Sequence, residues 1–268
     1  MRKLWVYVLL ILLAMFVLGP FVWMLSTSIK PEGEVLSKVP HLIPSHIELG
    51  NYVKAWKSAP FGRFFINSIF IAGIETVFDL TLGAMAAYAF ARLEFVGKRV
   101  LFVILLATLM VPGEVLLIPN YITIAKLGWL STYQGLIVPW LVSVFTIFLM
   151  RQFFLGLPRE IFEAAEMDGC SPMRTLFRII MPISLPIWIT SALIKFVGAW
   201  NSFLWVLIVS NAPSYDTLPV GLINFSTDVG TVYNQLMAAA TFSVVPLIIL
   251  FLFGQRYFIE GIARSGIK

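Results

Sequence analysis

The stretch that decides the fold is Glu163–Pro186, which reads EAAEMDGCSPMRTLFRIIMPISLP. It is a polar segment between strongly apolar ones. Pro158 can open a short helix, because the N–H that proline lacks has no partner in a first turn, and Gly169 can take the left-handed conformation that ends it. Ser171 and Pro172 are typical of the N-cap and first residue of a second helix. The sequence predicts two short helices at right angles, which form a surface protrusion that another protein can bind.

The composition indicates an integral membrane protein, whose long apolar spans are expected to be helices, an all-α fold. Hydrophobic residues make up 59% of the 268 residues and charged residues 12%, against roughly 25% charged in soluble domains. The pI near 9.4 does not indicate a nucleic-acid partner, because the basic residues follow the membrane topology instead of forming a cluster. The single cysteine, Cys170, excludes an intrachain disulfide.

Six apolar segments are long enough to cross a lipid bilayer. The third and fourth are interrupted by Pro112-Gly113-Glu114 and by Pro139. The first exceeds the usual length of a signal peptide and lacks a small-residue cleavage site, so we expect it to remain as a signal anchor. The predicted spans are Leu4–Ile29, Phe64–Ala91, Val100–Tyr121, Gln134–Met150, Ile183–Ser210 and Leu236–Phe258.

The distribution of basic residues predicts the orientation of these spans. With both termini in the cytoplasm, twelve of the 19 Lys and Arg residues lie inside and six outside. Cytoplasmic loops of membrane proteins carry such an excess of positive charge. The polar loop Glu163–Pro182 is therefore predicted to lie in the cytoplasm.

The outer segment Lys30–Arg63 contains many turn-forming residues and two aromatic residues four apart, Tyr52 and Trp56. This spacing favours a short helix lying on the bilayer surface as an aromatic anchor. Contact with a soluble receptor protein is the alternative interpretation.

The polar loop resembles the EAA loop of binding-protein-dependent ABC importer permeases, whose pattern is EAA, three residues, G, nine residues, I-x-L-P. One departure is Met181, which replaces the usual Leu. Further segments are similar to the MalG-like half of the carbohydrate-uptake permeases, and the similarity covers nearly the whole chain. The residues that match the loop are Glu163, Ala164, Ala165, Gly169, Ile179 and Pro182.

The resemblance implies a type I ABC importer permease fold with six transmembrane helices and a cytoplasmic coupling helix. It also implies a single permease domain over residues 1–268, with an N-terminal span and outer loop (1–63), a permease core (64–258) and a cytoplasmic tail (259–268). The partners that it implies are a MalF-like permease, two ATPase subunits that hold ATP and Mg²⁺, and an extracytoplasmic binding protein that delivers a sugar or related polyol. No cofactor is expected on this chain.

The same resemblance assigns residues to contacts with the ATPase. The tail is similar to the MalG-like C-terminus that reaches into the ATPase dimer interface, although it lacks the usual last glycine. The tail residues are Arg264, Ser265 and Gly266, and those of the coupling loop are Glu163, Ala164, Ala165, Asp168 and Gly169.

Polar residues inside the spans are candidates for the substrate pathway, because charges in a membrane are costly. Glu75 and Asp79 lie four apart on one helix face, and Lys195, Trp200 and Asn201 lie in the fifth span. Lys195 either forms a structural ion pair with one of these carboxylates, or these charged groups line the substrate pathway and orient sugar hydroxyls. Trp200 and Asn201 either contact sugar rings and hydroxyls or serve packing between spans.

Two carboxylates in one span also suit a proton relay, so an ion- or proton-coupled secondary transporter is the alternative function. That class gives no reason for the EAA loop. A non-transporting membrane scaffold is a third, weaker interpretation.

No enzymatic motif is present in the sequence. Gly261 and Gly266 have the spacing of a phosphate-binding loop, but Ile267 stands where such a loop requires lysine. His41 and His46 lie in an outer loop without a third ligand, so no metal site is expected. The sequence predicts a membrane protein that does not itself catalyse a reaction.

Overall fold

The computed structural model is almost entirely helical. It describes residues 2–37, 39–227 and 230–265, and within these ranges the side chains of all but 2, 3, 227 and 256–265. Through the described residues the α-helices are α1 (Arg2–Ser28), α2 (Glu32–Val35), α3 (Gly50–Ser58), α4 (Phe61–Arg92), α5 (Lys98–Thr108), α6 (Leu117–Lys126), α7 (Tyr133–Ile137), α8 (Val144–Leu155), α9 (Arg159–Met167), α10 (Pro172–Thr175), α11 (Met181–Ile183), α12 (Leu185–Trp200), α13 (Leu204–Val209), α14 (Leu218–Gly221) and α15 (Tyr233–Ser265).

Shorter elements join these helices. The strands β1 (Ser226–Thr227) and β2 (Gly230–Thr231) pair in antiparallel register, with Ser226 opposite Thr231. A π-helical segment joins α10 to α11 at Leu176–Ile180. The 3₁₀ segments are Gly113–Leu116, Val138–Trp140, Pro213–Tyr215 and Leu222–Phe225.

The predicted spans correspond to helices that are long and apolar enough to cross a membrane. Four such stretches and two bent pairs occur within the described ranges, which gives six spans if each bent pair is one span. The pairs are Lys98–Thr108 with Gly113–Lys126 and Pro172–Ile183 with Leu185–Trp200, each bent by 89°. The four stretches that qualify without such pairing are Leu4–Ser28, Phe61–Arg92, Tyr133–Leu155 and Tyr233–Gln255.

One predicted span, Ile183–Ser210, is wrong as a continuous helix. The chain bends before Leu185, α12 ends at Trp200, and α13 begins only at Leu204. Pro186 explains the first limit, because a proline near a helix N-terminus cannot donate to a preceding turn.

Close contacts divide the chain into two compact units, which we describe separately. The first comprises the described residues of Met1–Phe65 and Thr217–Pro246. In this unit Asn51 is fully buried and donates to the carbonyls of Ser28 at 3.0 Å and Lys30 at 2.8 Å. Asn234 donates to Asn51 Oδ1 at 3.2 Å. The two amides thus fasten the end of α1 to α3 and α15.

The predicted helix carrying Tyr52 and Trp56 is present as α3. Both rings contact Phe242 of α15, at centroid distances of 5.9 Å and 5.1 Å. The Tyr52 hydroxyl also lies 2.8 Å from Ser28 Oγ. These contacts fix α3 within its own unit. The two rings therefore serve packing, in addition to the membrane anchoring or receptor contact that the sequence suggests.

The second unit comprises the described residues of Ile66–Asp216 and Leu247–Lys268. Its core forms where small residues of α4 let α8 approach closely. A Cβ added to Gly83 would lie 3.1 Å from Thr146 Cγ2, and Ala84 and Ala87 are fully buried. Large side chains fill the remaining space; those of this core include Met150, Phe154, Leu176, Ile180 and Trp188. The single-domain organisation over 1–268 remains a prediction.

A buried serine organises the 89° corner before α12. Ser184 is fully buried, donates from its hydroxyl to the carbonyl of Ile180 and accepts from Trp188 Nε1 at 3.2 Å. Because Pro182 has no N–H and crowds the preceding turn, the π-helical segment before it is a local adjustment that keeps the chain coiled. The polar loop therefore continues without a free linker into the fifth span.

Candidate functional site

The polar loop forms the two short helices that its residues predict. Pro158 precedes α9, and the Ser171 hydroxyl accepts from the Arg174 N–H at 3.4 Å at the start of α10. Gly169 has a φ of +68°. Its N–H donates to the carbonyl of Glu166 at 2.9 Å, and the Cys170 N–H donates to that of Ala165 at 2.9 Å. This pair of bonds is a Schellman motif, which requires the left-handed residue that Gly169 supplies.

The predicted coupling residues differ in exposure. Glu163, Ala164, Asp168 and Gly169 are exposed on the loop surface, whereas Ala165 is only 2% exposed. The expectation that both alanines face a partner therefore needs correction, since Ala165 faces the interior of its own chain. Successive residues point about 100° apart on a helix, so one of two neighbouring alanines turns inward.

Arg92, at the C-terminal end of α4, holds the loop in place. Its Nη2 donates to the carbonyls of Phe154 at 2.6 Å and Leu157 at 2.8 Å. Its guanidinium lies 3.9 Å from the ring centroid of Phe162 in α9, a cation–π contact. No role was predicted for Arg92 from the sequence. A basic residue ending a long apolar helix was the available signal.

A charged cleft of about 460 Å³ lies between the end of α4 and the helices α9 and α10. Both signs of charge occur along its walls, which suits specific contact with another protein surface. The charged residues of the cleft are Arg92, Glu94, Arg159, Glu163 and Glu166.

The polar residues of the spans form a connected cluster. Lys195 Nζ lies 2.9 Å from Glu75 Oε2 and donates to the carbonyl of Trp140 at 2.6 Å. The Lys195 and Glu75 side chains are 13% and 5% exposed. The geometry is that of the predicted pairing, and it ties α4 and α12 to the 3₁₀ segment that precedes α8.

Asp79 is fully buried and has different partners from Glu75. It accepts from the backbone N–H of Ser143 and from the Thr146 hydroxyl at 2.6 Å. The N–H groups at the start of a helix have no intrahelical acceptor. Asp79 therefore caps α8 from a neighbouring helix, and this role was not predicted.

A cavity of about 530 Å³ lies beside the Lys195–Glu75 pair. Its lining mixes the ion pair with hydroxyl groups and apolar side chains from α4, α8, α12 and the segments that flank them. The lining residues are Glu75, Trp140, Val142, Ser143, Phe145, Thr146, Ile194, Lys195, Gly198, Ala199 and Ser202.

Three of the predicted pathway residues do not line this cavity. Trp200 is 1% exposed, and its ring stacks on Phe196 at 5.7 Å, as the packing alternative predicts. Asn201 is exposed at the end of α12. Asp79 lies behind Thr146. Of the four residues assigned to the pathway, only Glu75 reaches the cavity wall.

The tail residues are described only in part. The backbone at Arg264 and Ser265 continues α15, while their side chains and all of Gly266 lie outside the described residues. No group of three or more His, Cys, Asp or Glu side chains suited to a metal ion occurs in the part of the chain that the structure describes.

Residues 79–264 match the family described as "Binding-protein-dependent transport system inner membrane component". The match covers the polar loop Glu163–Pro182 and most of the spans. The chain belongs to this family.

Individual relatives support the assignment over the full length of the permease. The chain is 34% identical to an arabinooligosaccharides transport system permease protein of Halalkalibacterium halodurans, over 96% of this chain and 93% of the relative. It is 32% identical to a trehalose/maltose transport system permease protein of Thermococcus litoralis, over 96% and 94%. A solved bacterial ABC transporter involved in the import of the acidic polysaccharide alginate has a TM-score of 0.85 at 25% identity, covering 96% of each chain.

The fold and function follow from these matches. The permease is a multi-pass membrane subunit of an ABC importer with the helical fold of that class, and ATP hydrolysis belongs to a separate subunit. The comparisons give no support to a secondary transporter.

Proposed function

We propose that the permease forms half of a transmembrane pathway for a sugar or related polyol delivered by an extracytoplasmic binding protein. A MalF-like permease forms the other half, and two ATPase subunits hold ATP and Mg²⁺. The observation that carries the proposal is the coupling loop, with its Schellman turn at Gly169, in a chain whose relatives are permeases for arabinooligosaccharides and for trehalose or maltose.

The loop is the proposed contact with the ATPase. Glu163, Ala164 and Asp168 provide its exposed surface, and Gly169 lets the chain turn out of α9. Ala165 supports this surface from within, because its small side chain lets α9 lie close to the core. Motion of the ATPase would pass through α10 and the Ser184 corner into α12.

The C-terminal tail is the second proposed contact with the ATPase. It rests on the resemblance of Arg264, Ser265 and Gly266 to a tail that enters the ATPase dimer interface. Removal of residues 264–268 would then lower transport-coupled ATP hydrolysis while leaving membrane insertion intact. Normal coupling after this truncation would contradict the role of the tail.

The proposed orientation places both termini and the coupling loop in the cytoplasm. Cys170 is the only cysteine of the chain and lines the cleft beside α9, so a membrane-impermeant maleimide reports the side on which the loop lies. Labelling is expected in inside-out vesicles and not in right-side-out vesicles. A Ser45→Cys variant lacking Cys170 should show the opposite pattern, and labelling of Cys170 from the outside would contradict the orientation.

Uptake measurements test the transport function itself. Cells that express the permease with its partner permease, ATPase and binding protein should accumulate a radiolabelled arabinooligosaccharide, trehalose or maltose, and loss of the ATPase should abolish accumulation. A collapse of the proton gradient at constant ATP should leave uptake unchanged. Uptake that follows the proton gradient and not ATP would favour the secondary transporter instead.

A further inference from the structure

We propose that the cavity beside Lys195, lined by residues of this permease, is a subsite for an uncharged sugar ring. This inference rests on the proposed import of a sugar and adds the place and the charge class of the substrate. The cavity volume of about 530 Å³ lies within the range of about 300–1,000 Å³ that is usual for small-molecule sites.

The lining combines the groups that recognise a carbohydrate. The indole of Trp140 can offer an apolar face to the C–H surface of a ring, and the hydroxyls of Ser143 and Ser202 can both donate to and accept from sugar hydroxyls. The Thr146 hydroxyl donates its proton to Asp79 and can therefore only accept from a ligand. Sites of this kind are mostly apolar with a few placed polar groups. Val142 and Ala199 supply apolar surface between these polar groups.

Trp140 has an additional reason to bind a ligand. Its Nε1 is buried and has no hydrogen-bond partner among the described residues, and its ring lies 5.7 Å from that of Trp205 in an edge-on contact. A buried donor without an acceptor is unfavourable, because the hydrogen bond to water that it gave up is not replaced. A small rotation of the indole toward the cavity would let Nε1 donate to a ligand hydroxyl.

The charges of the lining favour an uncharged ligand. The wall contains one base and one acid, Lys195 and Glu75, which already neutralise each other at 2.9 Å. An anion that approached Lys195 would also meet the Glu75 carboxylate, 2.9 Å from the Lys195 ammonium, and repulsion from this carboxylate would offset the attraction to Lys195. The cavity therefore suits a neutral sugar better than an acidic one such as an alginate unit.

Gly198 offers a direct test, because it lines the cavity and a Cβ added there would meet nothing within 4 Å. Gly198→Ala, Gly198→Val and Gly198→Met fill the cavity in steps. Gly73 is the matched control, since it lies on a membrane helix, its added Cβ also meets nothing within 4 Å, and it is not part of the cavity wall.

The experiment measures uptake of maltose, trehalose, an arabinotriose and an alginate trisaccharide by cells carrying the complete transporter, normalised to the amount of assembled complex. We expect the wild type to import a neutral probe. Gly198→Met should raise KM for it by about tenfold, with Gly198→Ala and Gly198→Val between, while Gly73→Met should stay within about twofold. Trp140→Leu should also raise KM.

Three outcomes would overturn the inference. Equal KM values in Gly198→Met and Gly73→Met would remove the cavity from the pathway, and import of the acidic trisaccharide alone would contradict the charge class. Both results leave the proposed sugar import standing. Import of none of the four probes by the wild type, in the presence of an assembled complex, would count against the proposed function and the subsite that rests on it.

Discussion

Thr146 donates a hydrogen bond of 2.6 Å to Asp79, which lies 67 positions earlier in the chain. The same carboxylate accepts from the Ser143 N–H, at the point where the fourth span breaks between its 3₁₀ segment and α8. A carboxylate is favoured at a helix N-terminus by the unpaired N–H groups and by the helix dipole. The second span therefore determines where α8 begins.

Removal of this cap should destabilise the permease. Asp79→Ala leaves the partly buried Ser143 N–H and the buried Thr146 hydroxyl without their acceptor, which should cost about 1–3 kcal/mol. Thr146→Val should cost less because the backbone bond remains. Thermal unfolding of the purified complex measures both. Thr81→Val is the control, because Thr81 bonds only to the carbonyl of Val77 in its own helix; an equal loss in that variant would contradict the capping role.

The Lys195–Glu75 pair should show strong coupling between its two charges. Lys195→Met leaves a buried carboxylate unpaired and should cost about 3–5 kcal/mol, whereas the double variant with Glu75→Gln should recover part of that loss. A double-mutant cycle on stability gives the coupling energy. The pair Lys98–Glu94, whose carboxylate side chain is 90% exposed, is the comparison, with an expected value of about 0.2–1 kcal/mol. Equal losses of stability in Lys195→Met and in the double variant would show that the unpaired Glu75 carboxylate is not the cause of the loss.

Gly169→Val should abolish transport without preventing membrane insertion. A side chain in the left-handed region costs about 1–2 kcal/mol, and a β-branched one resists it further, so the Schellman turn opens and α9 changes direction. Uptake is expected to fall by at least about tenfold. Gly97→Val is the matched control, because Gly97 has a φ of +80° and similarly open space outside the coupling loop. Unchanged uptake in Gly169→Val would argue against the coupling role.

Trp200 and Asn201 should behave differently although they are neighbours. Trp200→Ala empties a fully packed site and should cost about 3–5 kcal/mol, which reduces the amount of folded complex while substrate preference stays the same. Asn201→Ala removes an exposed side chain and should preserve folding. Uptake kinetics with two sugars separate the roles: a changed preference in Asn201→Ala indicates the pathway, and an unchanged one indicates a structural residue.

Asp216 predicts a pH-dependent contribution to stability. Burial raises the pKa of its carboxyl above the ordinary value of 3.8, although the hydrogen bond from Ser210 opposes the shift. As pH rises from 3.8 toward the raised pKa, the unfolded chain loses its proton first, so the free energy of unfolding decreases. Asp216→Asn should therefore raise Tm at about pH 7 and much less at about pH 4. An equal change in Tm at the two pH values in Asp216→Asn would contradict this contribution.

The features that the sequence predicts well depend on neighbours along the chain. Gly169 ends α9 and Ser171 caps α10 because each acts within four residues of its own position. The Lys195–Glu75 pairing could also be predicted, since both charges lie in spans where an unpaired charge is costly. It remained one of two alternatives because the sequence does not give the distance between spans.

The features that were missed depend on contacts across the fold. Asp79 caps a helix that begins more than sixty residues later, and Arg92 bonds to carbonyls at the ends of other helices. The break after Trp200 was also missed, because only two polar residues, Asn201 and Ser202, separate the apolar residues of α12 from those of α13. Hydropathy indicates which residues prefer lipid and does not indicate whether the backbone stays coiled.

That break has a consequence for how the fifth span meets the bilayer. α12 has 16 residues, about 24 Å at 1.5 Å per residue, which is shorter than a hydrocarbon core of about 30 Å. With α12 beginning at the cytoplasmic surface, as the proposed orientation requires, the uncoiled turn at residues 201–203 falls at hydrocarbon depth, where acyl chains cannot satisfy exposed peptide groups. This part of the fifth span must therefore be shielded from lipid, by protein or by a water-filled cavity.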